Sequence, residues 1–218
     1  MHNDTTLVLL FKPPRRSKRR LAEQIGALAE IAAEHLLDCA LADLAQWSGP
    51  TCLAPADAPA AAYAREHGYE ADQLIVQSDG NLGERIAALN AGLLAAGTHR
   101  QLFIGIDCPA LDAGYLGAAA AALGESNVVL GPADDGGVVL MGINGRWPPL
   151  AELPWSSAKL GASLRRTCES ANLSVATLAA HGDVDTATDL RSLPARLDGD
   201  RRASRRRLCD WILSEPSI

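Results

Sequence analysis

The run Leu102-Phe103-Ile104-Gly105-Ile106-Asp107-Cys108-Pro109 ends an apolar segment in a single carboxylate. An ionised Asp beside a buried strand is costly to desolvate unless it meets a cation or opens onto a crevice. Pro109 cannot donate to a sheet ladder, so the strand is expected to stop before it. Ligands of open α/β sheets bind outside the carboxyl ends of the strands, which makes Asp107 a candidate for holding a cation. Capping of the following helix is the competing use of the same side chain.

Other charged groups occur at similar turns. Asp134-Asp135-Gly136-Gly137 and Asp183-Val184-Asp185-Thr186 add carboxylates beside expected strands. A Mg²⁺ ion that travels with a nucleotide takes one or two protein carboxylates and completes its shell with phosphate oxygens and water. Asp107 with Asp183 or Asp185 would suffice, although Asp185 could instead cap a helix. His181 is a further candidate ligand, against the commoner role of a surface-loop histidine. Lys12, Arg15, Arg16, Lys18, Arg19 and Arg20 crowd the segment after the first expected strand, where side chains and a helix start would favour an anion. In Gln77-Ser78-Asp79-Gly80-Asn81-Leu82-Gly83-Glu84-Arg85, Gly80 and Gly83 permit close approach of a ligand to the backbone, with Arg85 in the first helical turn; a simple turn is the alternative. No G-x-x-x-x-G-K-[ST] loop and no G-x-G-x-x-G turn is present, so phosphate binding would fall to side chains.

The elements that must position these groups alternate. Strands are expected at 5–11, 51–54, 74–77, 101–106, 128–130, 138–143 and 174–178. Helices are expected from Pro14 to about Trp47 with a break near Gly26, and over 58–67, 82–96, 114–123, 158–170, 186–193 and 201–213. Thr186 and Asp189 are spaced to cap one helix reciprocally. The connection from 131 to 137 is too short for a helical crossover, so the strands around it form a hairpin-like or mixed element. The pattern gives an α/β class with a mostly parallel, mixed central sheet flanked by helices.

Length and composition set the limits. The 218 residues fit a single domain, 48% are hydrophobic and only 4% aromatic, so Ala, Leu, Val and Ile must build the core. The net charge of −6 argues against general nucleic-acid binding. No apolar run reaches the length of a membrane span, and Met1-His2-Asn3-Asp4 lacks a leader pattern, so a cytoplasmic location is expected. Five cysteines without a C-x-x-C pair indicate neither a disulfide framework nor a zinc knuckle. Arg201, Arg202, Arg205, Arg206 and Arg207 form a C-terminal basic helix, read either as a solvated face or as a dock for an acidic partner.

Taken in order, the basic K-x-R-L loop, G-N-L-G-E-R, G-I-D-C-P, G-P-A-D-D-G-G and D-V-D-T-x-x-D-L resemble the DUF2064 family. This is a bacterial branch of the nucleotide-diphospho-sugar transferase (GT-A) superfamily, some of whose members are associated with arsenosugar biosynthesis. The resemblance covers roughly residues 6 to 193 and implies a single Rossmann-like GT-A domain that binds a nucleotide ligand with Mg²⁺ or Mn²⁺. It implies that Asp107 holds the metal, with Asp183 and Asp185 as a second acidic site. It also implies that Lys18 and Arg20, beside Lys12, bind phosphate, and that Leu82, Gly83 and Arg85 form the nucleotide-side turn with Gly80. The chain departs from the family pattern in its first loop, where Arg15-Arg16-Ser17 lacks the usual glycine and Arg19 replaces Thr. It departs again at Val138-Val139, where two tyrosines are usual, and so loses aromatic rings that could contact a sugar or acceptor.

The expected activity is metal-dependent glycosyl transfer from a nucleotide sugar to a small-molecule acceptor. Asp107 and Lys18 would be central to catalysis. Asp135 would orient the acceptor or act as its base, with Gly136 and Gly137 beside it. Nucleotidylyl transfer from an NTP to a phosphorylated small molecule, with pyrophosphate release, is the alternative. A catalytically silent nucleotide-binding or scaffold protein is a third reading, of another class.

Overall fold

The computed structural model describes residues 4–218; Met1, His2 and Asn3, used above in reading the N-terminus, lie outside them. Strands β1 (Thr6–Phe11), β2 (Thr51–Pro55), β3 (Gln73–Leu74), β4 (Arg100–Ile104), β5 (Val128–Pro132), β6 (Val138–Asn144) and β7 (Val175–Thr177) form one sheet in the order β3-β2-β1-β4-β6-β5-β7. All neighbours pair in parallel except β6, which is antiparallel to both β4 and β5. The short 133–137 connection dictates this reversal, since a parallel pair would need a crossover. In register, Leu9 lies opposite Ile104 and Phe11 opposite Pro55, so β1, β2 and β4 end at one edge. The antiparallel β6 begins at that same edge, with Leu140 opposite Ile104.

The helices are α1 (Arg19–Ile25), α2 (Leu28–Gln46), α3 (Ala58–Glu66), α4 (Leu82–Ala95), α5 (Ala113–Ala122), α6 (Leu160–Ser170), α7 (Ala187–Arg196) and α8 (Ala203–Ser214), with a 3-10 turn at Pro14–Arg16. The break expected near Gly26 separates α1 from α2. Pleating divides the strand side chains between two layers. Leu7, Leu9 and Phe11 pack with Leu37 and Leu44 of α2 and Leu116 of α5. On the other face, Val8 packs with Ile86, Leu89 and Leu93 of α4 and Leu164 of α6. A third cluster joins Leu36, Leu190, Leu208 and Ile212 of α2, α7 and α8. Among the described residues, no helix is long and apolar enough to cross a membrane.

Two expected strands are shorter than their apolar runs. β3 ends at Leu74, and β4 at Ile104 rather than Ile106. Beyond Leu74 the chain still follows β2, with Ile75 N–H donating to Leu53 O at 3.0 Å and Gln77 N–H to Pro55 O at 2.9 Å, but it no longer forms a regular ladder. Helix starts follow their capping chemistry. Thr186 and Asp189 form the expected capping box of α7, and Asn81 with Glu84 forms one on α4.

Candidate functional site

The carboxyl edge of the sheet gathers the loops after β1, β2, β4, β5 and β7, and with them most of the candidate residues. Lys18 stands at the N-cap of α1 with φ 52°, a left-handed conformation that costs a non-glycine residue about 1–2 kcal/mol. From there its side chain, 4% exposed, carries the ammonium to the Asp107 carboxylate and Val184 O, 3.9 Å from Asp185 Oδ1. Arg20 Nη1 donates to the other Asp185 oxygen at 2.9 Å. Lys18, Arg20, Asp107 and Asp185 are thus one charge cluster, built from the loops after β1, β4 and β7. The main chain ties the last two loops together, with Val184 N–H donating to Asp107 O at 2.9 Å.

Asp183 faces the same cluster without a cationic partner among the described residues. Burial pushes its carboxyl above the usual range, and the neighbouring Asp135, Asp185 and Asp107 carboxylates push it the same way, while a hydrogen bond from its own backbone opposes them. A cleft of about 510 Å³ lies here, lined by Arg20, Asp134, Asp135, Asp183, Asp185 and Arg196 among others. It adjoins a second cleft of about 800 Å³ that shares Asp134, Gly182 and Arg196 with it and extends past His181 to Arg201. His181 packs edge-on against Tyr115, with ring centroids 4.7 Å apart. Cys108 sits beside Asp107, but burial pushes its thiol up to about 11, so it is not a nucleophile near neutral pH.

Among the described residues, no three His, Cys, Asp or Glu side chains form a ready cage for a metal ion. The donor set nevertheless fits a divalent cation that arrives with a nucleotide, because such an ion needs only one or two protein carboxylates. Carboxylate repulsion at Asp183 and the ammonium drawn in between Asp107 and Asp185 both mark this edge as a place where positive charge is favourable.

The remaining candidates are dispersed along the same edge. Lys12 and Arg19 are exposed and have no carboxylate partner among the described residues. Arg16 makes a bidentate pair with Asp57 at 3.0 and 2.5 Å, fastening the basic loop to the N-terminus of α3, and Arg15 pairs with Glu30 at 2.7 Å. Arg85 Nε donates to Gly80 O at 2.8 Å, and Leu82 is exposed beside them. Gly83 has a packing reason to be glycine, since a Cβ there would lie 2.3 Å from Leu150 O. Gly136, at φ +90°, would place a Cβ 2.2 Å from Ala158 O. Asp135 accepts from Gly137 N–H at 2.8 Å, which shapes the turn between β5 and β6. Val138 and Val139 pack on the core, Val139 with the α2 and α5 layer and Val138 with the α4 and α6 layer.

Sequence reasoning passed over Arg196, whose guanidinium donates to Gly182 O and lines both clefts. It also placed all five C-terminal arginines on a surface; Arg201, Arg206 and Arg207 are exposed, whereas Arg205 is wholly buried and Arg202 is largely so. Their partners, Asp43 and main-chain carbonyls, lie far away in sequence, and no local pattern announces them.

Residues 37–157 match the family model described as an uncharacterized protein conserved in bacteria, DUF2064. The chain belongs to the DUF2064 family. Its fold is that of the nucleotide-diphospho-sugar transferases. A Desulfovibrio desulfuricans G20 protein, provisionally described as a nucleotide-diphospho-sugar transferase, is 24% identical over 96% of both chains and superposes with a TM-score of 0.85. CMP:2-keto-3-deoxy-manno-octonic acid synthetase, solved with CTP, is 13% identical over 89% of this chain and 98% of its own, with a TM-score of 0.53. The 4-diphosphocytidyl-2C-methyl-D-erythritol synthase of Anaerococcus prevotii DSM 20548 is 12% identical over 89% and 99%, with a TM-score of 0.52. Curated protein sequences gave no match. For this DUF2064 chain, the solved structures show the architecture and leave its chemistry to be argued from its own side chains.

Proposed function

We propose that the protein is a nucleotide-dependent transferase that moves a glycosyl group from a nucleotide sugar to a small-molecule acceptor at the carboxyl edge of its sheet. The observation that carries this reading is the Lys18, Arg20, Asp107 and Asp185 cluster. It sets two cations and two carboxylates side by side at the topological position where α/β folds bind ligands. A diphosphate needs both kinds of group: cations to take the charge that grows on the leaving phosphate, and carboxylates to share a metal with it.

Asp107 and Asp185, with Asp183 nearby, would hold Mg²⁺ or Mn²⁺, which when bound neutralises phosphate oxygens and aids departure of the nucleotide. Arg20, exposed at the mouth of the cleft, supplies a guanidinium for a phosphate oxygen, and Lys18 neutralises Asp107 from beneath. Asp135, exposed on its turn and lining the smaller cleft, would hold or deprotonate an acceptor hydroxyl. A structurally similar synthetase solved with CTP supports a nucleotide as one ligand.

Nucleotidylyl transfer is the second reading, favoured by Lys12 and Arg19, which leave positive charge on the first loop for a further phosphate. The pairing of Arg15 and Arg16 with Glu30 and Asp57 takes away most of the basic surplus that this reading would use. Incubation with Mn²⁺ and panels of nucleotide sugars or NTPs, with and without sugar and sugar-phosphate acceptors, separates the two. Acceptor-dependent release of the intact nucleotide, with the sugar appearing on the acceptor, supports glycosyl transfer. Pyrophosphate from an NTP, with no nucleotide-sugar turnover, overturns it. The scaffold reading keeps Arg201, Arg206 and Arg207 as exposed cations, while Arg202 and Arg205 turn inward.

A further inference from the structure

We infer that α8 holds the Asp107 loop in place through Arg202 and Arg205, which makes these arginines positioning residues for the site; the functional half of this inference rests on the reading above. Residues 105–112 run from β4 to α5 without regular secondary structure, so the carbonyls of Pro109 and Leu111 have no ladder or helix to satisfy them. Two guanidinium groups do so together. Arg205 Nε donates to Pro109 O at 2.9 Å and its Nη2 to Leu111 O at 3.2 Å. Arg202 Nη2 donates to Pro109 O at 3.3 Å and its Nη1 to Leu111 O at 2.6 Å.

The surrounding network closes the charge balance. Arg205 is 0% exposed and also donates to Cys39 O at 2.6 Å and to the Asp43 carboxylate. Arg202 reaches the other Asp43 oxygen at 3.0 Å and pairs with Asp200 at 2.6 Å. Two guanidinium ions thus face two carboxylates, and α2, α8 and the Asp107 loop meet at one point.

Stability alone does not account for this arrangement, because apolar side chains of similar volume commonly replace a buried ion pair without loss. A guanidinium adds rigid, directional donors, and here they converge on the two carbonyls that fix the path of the chain just beyond Asp107. On its other side the same loop is held by Val184 N–H on Asp107 O. Asp107 is therefore stapled both to the Asp183–Asp185 turn and to the C-terminal helix. Its carboxylate position thus depends on α8 and the arginine at its N-cap.

The test uses the full chain with Arg202→Gln, Arg205→Lys and, as a control for α8 packing, Ile212→Ala. Amide hydrogen exchange across residues 105–111 and Mn²⁺ affinity by calorimetry are measured beside Tm. Arg202 is partly exposed, so its variant folds even if Arg205→Lys does not. In the arginine variants, exchange across 105–111 should quicken at least about tenfold and Mn²⁺ affinity should fall at least about tenfold, the scale of a lost charged hydrogen bond. Ile212→Ala should lower Tm and change neither. Unchanged exchange in Arg202→Gln, or an equal rise in Ile212→Ala, overturns the positioning role; faster exchange with wild-type Mn²⁺ affinity overturns its functional half. Failure of the wild-type protein to bind Mn²⁺ both alone and with CTP present would count against the site reading, and the exchange result would still decide whether α8 positions the loop.

Discussion

Lys18 pairs with Asp107 asymmetrically: the lysine side chain is 4% exposed and the aspartate side chain 50% exposed. The cation forms the floor of the site, and the acid presents its remaining oxygen to solvent. A buried ammonium is tolerated because Asp107 and Val184 O accept its hydrogen bonds and Asp185 lies close by.

Replacing Lys18 with Met separates its two effects. Nucleotide affinity in the presence of Mn²⁺ should fall at least about tenfold, because a positive charge is lost from the floor beneath the phosphates. Affinity for Mn²⁺ alone should rise, since Asp107 and Asp185 no longer share an internal cation. Calorimetry of the variant with each ligand checks both directions.

Asp183 is half-buried among like charges, with desolvation and its acidic neighbours opposing its ionisation. Asp183→Asn should therefore raise the Tm of the ligand-free protein near neutral pH while weakening Mn²⁺ binding. A lower Tm would show that the carboxylate is stabilised in the free protein after all, as seen by scanning calorimetry.

The turn that carries Asp135 depends on Gly136. Its φ of +90° and the 2.2 Å approach of an added Cβ to Ala158 O leave no space for alanine. Gly136→Ala should cost at least about 2 kcal/mol, the scale of combined backbone strain and steric overlap. Urea unfolding of the two proteins measures it.

Much of the fold was legible because local chemistry states it. The capping box at Thr186 and Asp189, the break at Gly26 and the apolar stripe Ile86, Leu89 and Leu93 all act over a few residues. The short 133–137 link even foretold a mixed sheet. The charge cluster was legible only as separate parts: strand ends placed Lys18, Asp107 and Asp185 near one edge, but which cation meets which acid is set by long-range packing. The same limit hid Arg205. Its helix spacing resembles a solvated basic face, and only the position of Asp43 on α2 turns it inward.

Acid stability should report the loop anchor. The hydrogen bond from Arg16 holds Asp57 below its ordinary value of 3.8, so this pair contributes stability above that pH and loses it as pH falls through the lower, folded value. Asn can still cap α3 but cannot pair with Arg16. Asp57→Asn should thus have a lower Tm than wild type at about pH 6, with the gap narrowing as the pH falls below 3.8. A gap that stays constant across this range would refute the role of the ion pair.

The central claim is that Asp107 joins a metal-bound nucleotide to the carboxyl edge, and the most direct test is a thermal-shift panel of nucleotides and nucleotide sugars, with and without Mn²⁺, on wild type and Asp107→Asn. A ligand at about one hundred times its Kd should stabilise the wild type by roughly 2.7 kcal/mol. The account predicts a shift for at least one nucleotide ligand that requires Mn²⁺ and is lost in Asp107→Asn. No shift with any nucleotide in the presence of metal, or an equal shift in the variant, would contradict it.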